Sequence, residues 1–288
     1  MLRRLIGIVG ATLIFALATA VTQLGGVAFL LALLLVWIVR RSGMRKSVAV
    51  IAGIVFFIAG LGIANRFIVP PLAAQFGRAP LPCAATGEQP YAALSPLYCA
   101  LGRNYVRPEA RAMLDAMASD LAQHYPGLTV AYLDAGFPFF DGFPLPPHLS
   151  HHDGRRIDLA YFYKDRAGTY QPLATPSLLG YWGFEPPSTG DASPCDDKER
   201  WLTLRWDMGW FQAFVRQDLV LDEERTAVML RWLTERGSTQ GVEKILLEPH
   251  VAKRLQVSSP LIRFQGCRAA RHDDHIHVEV GYAPGPPS

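Results

Sequence analysis

Three long apolar runs open the chain, and nothing comparable follows them. They cover Leu5 to Val21, Val27 to Val39 and Val48 to Ala64. The first and third approach the roughly 20 residues that cross a bilayer as a helix. The second is shorter and spans only if Leu24 to Gly26 extend it and its flanking arginines reach outward to the interface. The first run also resembles a cleaved signal peptide, with Arg3 and Arg4 ahead of it and Ala18-Thr19-Ala20 as a small-residue cleavage site. The two further runs favour an all-helical, three-span membrane segment over residues 1–70.

Past Pro70-Pro71 the pattern becomes that of a globular domain, long enough for one core. Pro108 to Tyr125 places Ala110, Leu114, Met117 and Leu121 on one helical face, with Pro at the start and Pro126-Gly127 as the stop. Leu128 to Leu133 is expected as a strand, and Asp134 to Ser150 as a proline- and glycine-rich loop. Arg156 to Lys164 alternates, with Ile157, Leu159, Tyr161 and Tyr163 on one side and Asp158 on the other. Tyr170 to Cys195 has no regular pattern. Helices are expected at Trp206 to Leu219, at Asp222 to Glu235 closed by Gly237, and at Val251 to Leu255. Val242 to Leu247 and Asp274 to Val280 complete the strands. This order implies an α+β domain, with flanking helices and a small antiparallel sheet. The sequence divides into a linker and helical part at 71–127, a core at 128–282 and a disordered proline-rich tail at 283–288.

Charge separates the two parts. Residues 1–87 contain no Asp or Glu, and seven basic residues precede Pro70, so the remainder carries 21 basic against 25 acidic side chains. Nothing in that balance marks a nucleic-acid surface. Arg3, Arg4, Arg40, Arg41, Arg45 and Lys46 put the N-terminus and the 40–46 loop in the cytoplasm and everything after the third run outside. That corresponds to a multi-pass membrane protein, with the lipid bilayer as one partner and its globular part on the outer side. The four cysteines, all in that part, have no C-x-x-C spacing. An exported domain then favours disulfides, paired Cys83 with Cys99 and Cys195 with Cys267, over free buried thiols.

Six of the eight histidines lie in two short segments. In His272-Asp273-Asp274-His275-Ile276-His277-Val278-Glu279-Val280, strand alternation turns His275 and His277 to one face and Ile276 and Val278 to the other. The second segment is His148-Leu149-Ser150-His151-His152-Asp153-Gly154, followed by Asp158. A catalytic zinc needs three protein ligands and an open position. His151, Asp158 and His277 supply two imidazoles and a carboxylate, with His152 as the rival ligand. His275 is then placed to move a proton or stabilise an oxyanion, and His272 and His148 to orient ligands or carry protons. His250 is expected at the surface or a helix start. Trp201, Trp206, Trp210 and Phe211 read as core, and Phe137 to Phe140 as groove lining or loop packing.

The spacing of His148, His151, Gly154 and Asp158, together with His272, His275 and His277, resembles the penicillin-insensitive murein endopeptidases. These are related to lysostaphin-type peptidases, D-Ala-D-Ala metallopeptidases and hedgehog domains. The resemblance covers roughly Leu128 to Gly281. It implies a zinc peptidase acting on peptidoglycan peptide stems, with His151, Asp158 and His277 as ligands and His272 and His275 in catalysis. Two positions depart from the pattern. Glu279 stands where a basic residue is expected, on the face of His275 and His277, where it either bonds a ligand or substrate or is solvated. Asp274 stands where D-Ala-D-Ala carboxypeptidases carry a catalytic Glu. The alternatives are such a carboxypeptidase and a non-catalytic zinc module that binds wall peptides.

Overall fold

The computed structural model describes residues 2–191, 195, 215–216 and 218–281. The apolar runs fold as α1 (Leu2–Thr22), α2 (Gly25–Arg41) and α3 (Lys46–Ile63), packed in sequence order. Close approach of α1 and α2 depends on Gly25, where a Cβ would lie 2.3 Å from the Ala18 carbonyl oxygen. Helix continues past Ile63 through a wide turn at Ala64–Ile68 into α4 (Val69–Gln75). Pro70 and Pro71 fall in the first turn of α4, where a missing N–H is tolerated.

Among the described residues two helices, not the expected three, are long and apolar enough to cross a membrane: Leu5–Thr22 and the continuous Lys46–Gln75. Helix α2 forms where expected, but its 17 residues extend only about 25 Å, short of a hydrocarbon core of about 30 Å. The third run is longer than its apolar stretch implied because the two prolines start a turn instead of ending the helix. At the junction, Val69 and Ala73 of α4 form a small core with Tyr105 and Phe139, flanked by Leu24 and Ala64. The Phe139 N–H donates to Gln23 Oε1 in the α1–α2 turn at 3.1 Å.

Beyond α4 the chain forms β1 (Ala79–Pro80), β2 (Tyr91–Ala93), α5 (Pro96–Ala100), β3 (Tyr105–Val106), α6 (Pro108–His124) and β4 (Val130–Tyr132). There follow β5 (Arg156–Ala160), β6 (Tyr163–Asp165), β7 (Leu219–Leu221), α7 (Glu223–Glu235), β8 (Val242–Leu246), α8 (Pro249–Arg254), β9 (Ile262–Arg263) and β10 (His275–Val280). Among the described residues the main sheet has the order β2-β4-β5-β10-β8-β9. Its middle is antiparallel as expected, but both edge pairs, β2 with β4 and β8 with β9, are parallel. The cause is connectivity: helices α5 and α6 lie between β2 and β4, and α8 between β8 and β9. Such crossovers return the chain in the same direction.

The expected strand Arg156 to Lys164 is two strands. β5 ends at Ala160, and β6 pairs with β7 in a separate ribbon. The expected helix from Trp206 falls mainly outside the described residues, and Leu219, placed at its end, begins β7. The Trp201, Trp206, Trp210 and Phe211 cluster and the 283–288 tail also lie outside the described residues.

One face of the sheet carries the core. Ile157 and Leu159 of β5 and Ile276, Val278 and Val280 of β10 are buried with Met113, Leu114, Met117 and Leu121 of α6 and Met229, Leu230 and Leu233 of α7. Each such side chain removed from water contributes about 1.5–3 kcal/mol. The Asp222 side chain caps α7 by accepting the Arg225 N–H. Segments 71–127 and 128–281 therefore share one core. Both expected disulfides, Cys83–Cys99 and Cys195–Cys267, are formed. Replacing Cys83 and Cys99 together by Ala opens a link across a separation of 16 residues. It should cost about 3 kcal/mol, read as a lower guanidinium midpoint of the full chain in detergent. An unchanged midpoint would remove this bridge from the account of stability.

Candidate metal centre

The site grows from the sheet face opposite the core. β5 and β10 run antiparallel with His277 directly opposite Asp158. Alternation that buries Ile157, Leu159, Ile276 and Val278 in the core therefore turns Asp158, His275 and His277 the other way. His151 arrives from the loop before β5. Its Nδ1 lies 2.7 Å from the Ala135 carbonyl oxygen, and since a carbonyl only accepts, Nδ1 must carry the proton. In the neutral ring the Nε2 lone pair then faces inward.

That Nε2 is 3.1 Å from Asp158 Oδ1 and 3.1 Å from His277 Nδ1, and His277 Nδ1 is 2.8 Å from the same Asp158 oxygen. All three residues are buried. One ion at about 2.0–2.2 Å from each ligand in tetrahedral geometry sets ligand atoms about 3.3 Å apart. The three observed separations need to open by only a few tenths of an ångström. His151, Asp158 and His277 could hold a metal ion.

The loop between the first two ligands is clamped by arginines. Gly154 has φ +73°, and a Cβ there would lie 2.7 Å from the guanidinium carbon of Arg78. Arg78 donates to the Phe137 carbonyl and pairs with Asp141. Arg107 Nε donates to the Asp153 carbonyl at 3.1 Å, and its backbone N–H to the Gly154 carbonyl at 2.8 Å.

Behind the ligands lies a buried polar network. Arg103 grips Asp134 through two bonds of 2.6 and 2.8 Å, and His148 Nδ1 adds a third at 2.7 Å. Burial raises the Asp134 carboxyl, but His148 and Arg103 outweigh it and hold the group down at about 2. The Tyr181 hydroxyl donates to Asp158 Oδ2 at 2.7 Å and accepts the Asp134 N–H at 3.1 Å. Burial also opposes the Asp158 charge, yet His151, His275 and His277 keep it well below the usual carboxylate range.

The histidines of the last strand are driven apart. For His275 burial opposes the charge, but the Asp158 and Asp274 carboxylates overcome it and raise the group to about 9. Its Nδ1 is bonded to Asp274, and its Nε2 is 3.7 Å from Asp158 Oδ2. His277 is lowered to about 4 because burial exceeds the help from Asp158. His272 is pushed well below its ordinary value by burial and by His275 and His277, and its buried Nδ1 has no hydrogen-bond partner among the described residues. A cleft opens beside His275, lined in part by His148, Tyr181, Trp182, Arg271 and Asp274.

Six sequence-predicted residues thus come together: His148, His151, Asp158, His272, His275 and His277. His152 lies next to a ligand but outside the ligand group. Glu279 is a correction, being neither at the ligands nor solvated. It is buried at the far end of β10 and paired with Arg155, Arg156 and Lys244. Arg156 and Lys244 stand directly opposite it on β5 and β8, which draws the carboxylate to them. His250 does lie in the first turn of a helix but is buried, not at the surface, and its Nε2 donates to the Glu185 carbonyl. Phe137 is buried against Phe143 of the same loop and Phe139 against α4, and neither lines the cleft.

Asp134, Arg103, Tyr181 and the orienting role of Asp274 are not visible in the sequence. Each is a single residue outside any periodic pattern, brought in by tertiary contact. The one available signal was an acidic residue, Asp134, at the end of an apolar strand. No family model matches the chain, and no curated protein matches it.

Tyr181→Phe should retain the fold but weaken metal binding by about 10–100-fold, the usual cost of removing a group that orients a ligand. Competition with a metal-sensitive chelating dye measures this directly. Unchanged affinity would show that Asp158 needs no help from the phenol.

Proposed function

We propose that this chain is a zinc peptidase, anchored in a bacterial inner membrane, that hydrolyses peptide cross-links of peptidoglycan in the periplasm. The observation that carries this reading is the convergence of two imidazole nitrogens and one carboxylate oxygen within 3.1 Å of one another, beside His275 and His272 and next to a cleft. Two imidazoles with a carboxylate suit zinc, and three protein ligands leave the open position of a catalytic site. When bound, zinc supplies a Lewis acid that lowers the pKa of water to about 7 and polarises a carbonyl.

The remaining chemistry belongs to the chain. His275, pinned by Asp274, holds a proton on Nε2 and is suited to donate a hydrogen bond to a developing oxyanion. His272, kept neutral by its burial, is suited to accept a proton from attacking water. Opposite shifts on neighbouring titratable groups are how acid and base roles are divided. Trp182 and Tyr181 shield one side of the cleft and provide apolar surface for a peptide. The substrate class rests on the resemblance of the histidine spacing to the murein endopeptidases. Asp274 is already committed to His275 and to the Trp182 N–H, at 2.5 Å from the latter, which weighs against the carboxypeptidase reading. A purely binding role would leave His272 and His275 without a task.

The location is supported by two disulfides, which favour an oxidising compartment, and by the distribution of arginine and lysine. The helices add a further point. Gln23, after α1, bonds to Phe139, and Asn65, after α3, donates to the Ala100 carbonyl. Both ends thus meet the same domain, so α2 leads away from it and α3 returns. A short α2 can complete that hairpin across the bilayer if Arg40 and Arg41 extend to the interface. On this reading the membrane segment has three spans.

Zinc content and turnover of purified muropeptides test the proposal together. His151→Ala and His277→Ala should each lose both zinc and hydrolysis. His275→Ala should keep zinc while the rate falls by about 10²–10⁴. A wild-type chain that binds zinc without hydrolysing any muropeptide would turn the reading toward a binding module.

A further inference from the structure

Helix α4 is apolar on both sides. Its inner side, Val69 and Ala73, is buried against Tyr105 and Phe139. Around that contact, Phe67 in the wide turn, Leu72 in α4 and Phe76 just after it are 66, 41 and 44% exposed. A helix that docks on a domain and faces water carries a polar outer stripe. Here Gln75 is the one polar side chain among the exposed residues from Phe67 to Phe76. Phe140, itself 59% exposed, packs edge-on against Phe76 with ring centroids 5.5 Å apart. Exposed apolar side chains concentrated in so short a segment mark a contact surface.

Two independent lengths place that patch at one level. The apolar helix Lys46–Gln75 has 30 residues, so it is about 45 Å long against a hydrocarbon core of about 30 Å. With Lys46 at the inner boundary, the core is crossed after about 20 residues, at Arg66, and Phe67 to Phe76 emerge in the outer interface. The other membrane-length helix ends at Thr22. The next residue, Gln23, is the one that accepts the Phe139 N–H, beside Phe140. An amphipathic or apolar segment at this depth settles with its aromatic and aliphatic side chains about 5–10 Å into the boundary between headgroups and acyl chains.

We propose that Phe67, Leu72, Phe76 and Phe140 form a seat inserted into the outer-leaflet interface, occupied by phospholipid, which holds the metal-site loop against the membrane surface. The inference rests on the membrane-anchored reading above and extends it. The loop is tied to the seat at short range: the Gly142 N–H donates to the His152 carbonyl at 2.9 Å, next to His151. Arg78, three residues beyond α4, is buried against Gly154 between the first two ligands. The centre therefore works beside the bilayer, on wall peptide close to the membrane, instead of reaching through the depth of the wall.

All four cysteines are engaged in disulfides, so a single added cysteine can carry a nitroxide label on the full chain. Labels at Phe140→Cys and Leu72→Cys, in vesicles of phosphatidylethanolamine and phosphatidylglycerol, report depth by power saturation. Oxygen reaches a label through lipid and a nickel chelate reaches it through water. Leu13→Cys, 64% exposed on α1, and Leu178→Cys, 89% exposed on the domain, mark the deep and aqueous limits. The oxygen-to-nickel collision ratio at 140 and 72 should exceed that at 178 several-fold and fall below that at 13. Ratios at 140 and 72 equal to that at 178, with 13 still in lipid, would overturn the seat and leave the anchor standing. Water-like ratios at 13 as well would overturn the anchor, and the seat with it.

Discussion

A carboxylate removed completely from water is tolerated only where hydrogen bonds and positive charge replace the solvent it has lost. Asp158 is in that position, at the centre of the sheet, and the arrangement around it follows from supplying replacements. Tyr181 donates to one oxygen, while His277 from the neighbouring strand and His151 from the preceding loop converge on the other. His275 stands behind them, held by Asp274. The Ala135 carbonyl fixes the proton of His151 on its outer nitrogen, so the inner nitrogen and the carboxylate present lone pairs to a common point. Two electron-rich atoms at 3.1 Å call for a cation between them, a proton or a metal.

Much of this was legible in the sequence, for identifiable reasons. Alternation has a period of two, so one buried apolar set in β10 decides the direction of His275 and His277 at once. The same reasoning turns Asp158 away from the core. Clustering of histidines is a composition signal that survives errors in element boundaries. The parts that were not legible depend on long-range contact. The alternation of Ile157 to Tyr163 continues past Ala160, and only the pairing of Tyr163 with Leu221 shows that the chain has changed sheets. Glu279 obeys alternation as expected, but Arg156 and Lys244 opposite it come from other strands. Asp134, Arg103 and Tyr181 are separated by 31 and 47 residues with no shared pattern.

The helical segment shows a different limit. Its apolar runs marked the helices, but length along a run does not say where a helix ends. Pro70-Pro71 would interrupt the interior of a helix, whereas in a first turn it costs little. Which applies depends on the wide turn at Ala64–Ile68, and that follows from packing against Tyr105 and Phe139. The contacts of Gln23, Asn65 and Arg78 with the domain make the helices part of the frame that carries the ligand loop.

The central claim is that His151, Asp158 and His277 hold one metal ion, with zinc the proposed occupant. Zinc K-edge X-ray absorption on the purified full chain examines this most directly, because it reads the ligand atoms without reference to activity. The account predicts a first shell of light atoms only, including two imidazoles with nitrogen at about 2.0–2.1 Å. A shell containing sulfur, or one without imidazole scattering, would contradict it.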